Sequence, residues 1–119
     1  MKQACTDSLT EYLTHWSART GIAVETWALA SLPRGDARAV LETVRLALEH
    51  VARAGATTVS VAVTHGGRGL RLTISDNGPG TAATEGVAAM RAAFARIGGT
   101  LTVHAYPGEG TTVNGVRGV

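Results

Sequence analysis

The segment 57–75 places the strongest limit on how this chain can fold. Residues 57–64 are rich in β-branched side chains and alternate Val59, Val61 and Val63 with small or polar residues. Residues 70–75 alternate Leu70, Leu72 and Ile74 in the same way, and His65-Gly66-Gly67-Arg68-Gly69 joins the two. Alternation of this kind reads as strand, and so short a glycine-rich connection makes the pair an antiparallel hairpin. Just before it, residues 36–54 read as a long amphipathic helix with Asp36 as its cap. Val40, Val44, Ala47 and Val51 face the core, helped by Leu41 and Leu48.

The remaining segments extend the pattern. Residues 8–17 read as a helix with a Ser8/Glu11 capping box, Leu9, Leu13 and Trp16 at helical spacing, and Gly21 as the stop. Residues 22–30 read as a strand with Ile22, Val24, Thr26 and Ala28 on one face. Residues 85–97 read as a third helix ended by Gly98-Gly99, followed by a strand over 100–105, a turn at Pro107-Gly108-Glu109-Gly110, and a last strand from Thr111. Strands joined by tight turns are antiparallel, and helices in this order can cover only one face. The expected fold is a two-layer α/β sandwich: a mixed, mostly antiparallel sheet of about five strands with three helices on one face. Trp16 and Trp27 are expected to be at least partly buried.

The 119 residues amount to one domain, 1–119, with no repeat or dividing linker. Aromatic residues make up 4% of the chain, so the core must come from Val, Leu, Ile and Ala. A net charge of +2 without a Lys/Arg cluster gives no indication of nucleic-acid binding. Cys5 is the sole cysteine and reads as a reduced thiol without a role. No apolar run approaches a membrane span and the N-terminus has no signal core, so a soluble, cytoplasmic chain is expected.

The segment richest in chemistry is Asp76-Asn77-Gly78-Pro79-Gly80. An acid at a strand end, followed by glycines around a proline, sets a fixed carboxylate beside bare backbone that a flat ligand can approach. Taken alone, the pentapeptide is also an ordinary turn. Its neighbours are Ala54-Gly55-Ala56-Thr57, then Gly86-Val87-Ala88-Ala89-Met90-Arg91, Gly98-Gly99-Thr100-Leu101 and Gly108-Glu109-Gly110-Thr111-Thr112-Val113. In this order and spacing the chain resembles the GHKL (Bergerat-fold) ATPases, and most the ATP-binding domain of nitrate-sensor-type histidine kinases. The resemblance covers nearly the whole chain.

The resemblance implies ATP and Mg²⁺ as cofactors. Asp76 would take the adenine amine, Gly78 and Gly80 would admit the base, and Thr111 would add a hydroxyl. Gly86 would open a helix whose N-terminus faces the phosphates. The chain departs from the family on the long helix. Where the family carries Glu, Asn and His four residues apart, this chain has Arg45, Glu49 and Arg53. Glu49 would then be the metal ligand, with Arg45 and Arg53 as phosphate contacts; no catalytic residue is singled out. The second glycine and later Glu and Arg of the family's glycine-led helix are also missing, and residues 81–85 form a minimal lid.

Arg38, Glu42, Arg45, Glu49 and Arg53 also share one helix face with alternating sign, which reads as a ladder of surface ion pairs. None of His15, His50, His65 and His104 has the setting of a phosphoacceptor. The expected function is therefore an ATP-binding, kinase-like domain in two-component-type signalling, acting with a separate phosphoacceptor or regulatory protein. The alternatives are a degenerate GHKL pseudo-kinase acting as an interaction module, and an anti-sigma-type serine kinase.

Overall fold

The computed structural model describes residues 4–79 and 86–118, with side chains from residue 9 onward. Helix α1 spans Ala4–Thr20. It begins before Ser8, so Ser8 lies within the helix and is not its N-cap. Leu9, Leu13 and Trp16 form its buried stripe. The helix closes at Gly21, whose N–H donates to the Ser17 carbonyl at 2.8 Å, while the Ser17 hydroxyl holds the Ile22 carbonyl at 2.7 Å.

Strand β1, Ala23–Leu29, pairs in parallel with β2, Thr58–Gly66. Its register shifts between Thr26 and Ala28. Val24 and Thr26 therefore align with the core-facing Val59 and Val61, but Ala28 aligns with Ala62 on the other face. The expected single face of β1 is broken by this bulge, and Trp27, the extra residue, is 75% exposed. The expected burial of Trp27 fails at this irregular position of an edge strand, whereas Trp16 is buried.

Helix α2 spans Arg34–Ala54 and buries Val40, Val44, Ala47, Leu48 and Val51, with Leu41 half-buried. Its N-cap is Pro33, not Asp36. Asp36 lies three residues further on and is bonded instead to Arg117. Strands β2 and β3, Gly69–Asp76, form the hairpin with Gly66 opposite Gly69, so the connection tightens to Gly67-Arg68. Helix α3, Val87–Ala95, is shorter than its sequence pattern and buries Met90, Ala93 and Phe94. Strands β4, Thr100–Tyr106, and β5, Gly110–Arg117, form a second hairpin.

The sheet order is β1-β2-β3-β5-β4, and β1–β2 is its one parallel pair. Val59, Val61 and Val63, then Leu70, Leu72 and Ile74, then Leu101 and Val113 supply the sheet's side of the core beneath the three helices. The opposite face carries Ser60, Thr73, Ser75, Thr112 and Asn114, with cross-strand contacts Thr73–Asn114 and Ser75–Thr112. The observed architecture is the expected mixed α/β sandwich.

Candidate functional site

Strand alternation determines where Asp76 points. Leu70, Leu72, Ile74 and Asp76 follow at every second residue of β3 and all are buried, so the carboxylate faces the helices from the middle of the sheet. Thr111 is its direct partner on β5 and is also buried, which sets hydroxyl and carboxylate side by side on one face. Asp76 Oδ1 accepts the backbone N–H of Gly78 at 2.8 Å. No described group donates to Oδ2, which leaves that oxygen as an acceptor.

The loop after Asp76 is tied on both sides. The Asn77 Oδ1 accepts the N–H groups of Thr57 and Thr58 at 2.9 and 3.0 Å, and its Nδ2 donates to the Thr57 hydroxyl at 2.8 Å. The Pro79 carbonyl accepts the N–H of Gly108 from the β4–β5 turn at 2.8 Å. Gly78 lies beside Ala54 and Ala56 at the end of α2, and a Cβ there would stand 3.0 Å from Asp76 Oδ1. The backbone is therefore bare where it borders the carboxylate. Gly110 meets a harder limit: its φ is +106°, and a Cβ would overlap the carbonyl oxygen of Asp76.

Gly86 is the left-handed N-cap of α3. Gly80 lies outside the described residues, as do residues 81–85. Asn77 and Gly110 read in the sequence as turn residues; the amide's ability to donate and accept at once was the available signal for Asn77.

The residues proposed on α2 form a row of their own on that helix. Arg38, Glu42, Arg45, Glu49 and Arg53 fall on the side of α2 opposite its core stripe. Arg45 binds Glu42 at 2.6 Å and Glu49 at 3.1 Å, with these side chains 40–51% exposed. The hydrogen bond from Arg45 holds the Glu42 carboxyl below its ordinary range, and Glu42 in turn raises the Arg45 guanidinium. Arg53 is exposed and makes no ion pair with a described residue. Among the described residues no three His, Cys, Asp or Glu side chains gather as a metal site. His15, His65 and His104 are exposed and His50 is half-buried. No described helix is long and apolar enough to cross a membrane.

No protein-family model matches the sequence, and no curated protein does. Solved structures do match. The histidine kinase domain of a blue-light activated histidine kinase from Erythrobacter litoralis superposes with a TM-score of 0.78 at 21% identity, over 94% of this chain and 63% of that one. The Acinetobacter baumannii histidine kinase AdeS gives 0.69 at 16% identity, over 96% and 63%. The mycobacterial sensor histidine kinase MprB gives 0.69 at 18% identity, over 96% and 97%. This chain thus spans less than two thirds of the first two. The element order, the mixed sheet and these superpositions agree that the chain has the Bergerat-type fold of histidine kinase catalytic domains.

Proposed function

We propose that this domain binds ATP at Asp76 and serves as the kinase-like half of a two-component-type system, with the phosphoacceptor on a separate partner. The observation that carries the reading is the Asp76–Thr111 pair: a buried carboxylate with one oxygen tied to Gly78 N–H, the other without a donor among the described residues, and a buried hydroxyl beside it. That arrangement fits an exocyclic amine and a flat base. Oδ2 accepts the amine, Thr111 adds a hydroxyl contact directly or through water, and Gly78 lets the ring approach. Gly80 is proposed to extend that bare backbone. The N-terminus of α3 after Gly86 offers free N–H groups to an anion. ATP, when bound, supplies the phosphoryl group.

Mg²⁺ has a weaker case. Glu49 is the carboxylate proposed to hold it, with Arg53 toward the phosphates, and Glu49 would reach a cation only by releasing Arg45. This engagement of Glu49 favours a second reading, a pseudo-kinase that binds a regulatory partner without nucleotide turnover. An anti-sigma-type serine kinase shares the fold and gains no support from a particular residue.

Calorimetric titration with ATP, with and without Mg²⁺, tests the proposal. ATP should bind, and Asp76→Asn should weaken it about tenfold or more, the scale of one lost buried acceptor. Glu49→Ala should remove any Mg²⁺-dependent gain and leave binding without metal unchanged. A folded protein that does not bind ATP would sink the proposal in favour of the interaction module.

A further inference from the structure

The face of the sheet turned away from the helices carries a concave feature. Thr64, Arg68, Gly69, Leu70, Arg71 and Val116 line a depression of about 340 Å³ at the closed end of the first hairpin. Its position follows from register. Thr64 is opposite Arg71, and Arg71 is opposite Val116, so the three form one row across β2, β3 and β5. Arg68 occupies the two-residue turn, three positions before Arg71. Strand β3 is hydrogen-bonded on both sides, which holds the backbone of Arg71 in place.

Neither arginine pairs with a carboxylate among the described residues. Arg45 and Arg117 are neutralised by Glu42, Glu49 and Asp36. The side chains of Arg68 and Arg71 form no ion pair or hydrogen bond with any described residue. The acids in the described strands are Glu25 and Asp76. Asp76 is on the helix side. Glu25 is in the row of Ser60, four residues along β2 from Thr64, or about 13 Å at the usual rise per residue. Two guanidinium groups without a carboxylate among the described residues and a hydroxyl thus border one hollow, beside the exposed apolar surface of Val116.

We propose that this hollow binds a small phosphate ester, its phosphate held by Arg68 and Arg71 and its organic part against Val116. Guanidinium forks match the oxygen spacing of phosphate and bind it in bidentate fashion. The Thr64 hydroxyl is a further donor. The volume lies in the range of small-ligand sites and leaves room beyond the phosphate itself. The site is on the opposite face of the sheet from Asp76 and does not depend on the nucleotide reading.

The test is titration of the full chain with phenyl phosphate, followed by amide chemical shifts, with inorganic phosphate as the second arm. Saturable shifts are expected at residues 64–71 and at Val116. Arg68→Ala and Arg71→Ala should each weaken binding about tenfold, the scale of a lost charged hydrogen bond. Arg71→Lys, which keeps the charge but loses the fork, should also weaken it. Arg34→Ala, at an exposed arginine on α2, should change nothing. Shifts confined to residues 76–79 and 86–91, or an Arg34→Ala loss equal to that of Arg71→Ala, would overturn the site. Equal affinity for inorganic phosphate would overturn the assignment to an ester.

Discussion

The pair Asp36–Arg117 ties the first turn of α2 to the last residue of β5, and its removal has a calculable asymmetry. Oδ1 and Nη1 are 2.6 Å apart, with the side chains 12% and 22% exposed. Exposed pairs contribute about 0–1 kcal/mol, and removing one partner of a fully buried pair costs about 3–5 kcal/mol. A pair this well covered falls between, at about 2 kcal/mol for Arg117→Ala. The abandoned Asp36 would still sit in the first turn of α2, where the helix dipole favours an anion by about 0.3–1 kcal/mol. In Asp36→Ala the abandoned Arg117 would face that same positive helix end with no compensation. That variant should therefore lose about 3 kcal/mol. At roughly 2.1 cal/mol/K per residue, unfolding 119 residues carries an entropy of about 250 cal/mol/K. The two losses become drops in Tm of about 8 and 12 °C. Calorimetry and urea unfolding of both single variants and the double variant make the assay, and the double variant should lose clearly less than the sum. Equal losses in the two singles would refute the dipole argument. Losses under about 0.5 kcal/mol that add in the double variant would refute the pair itself.

Three further outcomes follow from the geometry of the site and of α2. Gly110→Ala should destabilise the domain by at least about 2 kcal/mol, since the new Cβ needs both a left-handed φ and the space of the Asp76 carbonyl oxygen; urea unfolding measures it. Asn77→Ala should lower hydrogen-exchange protection at Thr57 and Thr58, whose N–H groups lose their acceptor, while protection in the centre of β3 is kept. The Glu42 carboxyl should titrate below the ordinary glutamate range by NMR, and Arg45→Ala should return it there. Because the folded pKa is the depressed one, this pair's contribution is complete above the unfolded pKa and is lost as pH falls through the folded value.

Local periodicity made the two hairpins and the buried face of α2 legible, because each is decided within a few residues. Val40, Val44, Ala47 and Val51 repeat at helical spacing and are buried as that spacing requires. The features that escaped are those decided at a distance. Asp36 reads as a cap until Arg117, 81 residues on, is placed beside it. Trp27 reads as buried from its apolar bulk until β1 is placed at the edge of the sheet with an irregular register there. The candidate site divides along the same line. Asp76 and Gly78 stand out locally, while the neighbouring position of Thr111 on Asp76 follows from the β3–β5 register. The charged face of α2 was legible as a ladder, but its side of the helix relative to Asp76 follows from the packed core.

The β3–β5 seam also bears on the order of folding. Each hairpin is local and can form quickly, whereas Asp76 and Thr111 meet only when the two hairpins dock across 35 residues of chain. The proposed adenine site is thus absent from either hairpin alone and comes into being when the two dock. A ligand that spans the seam would bind the docked state and neither separated hairpin, so it would add stability by mass action. Slower unfolding with the folding rate little changed would place that docking after the transition state.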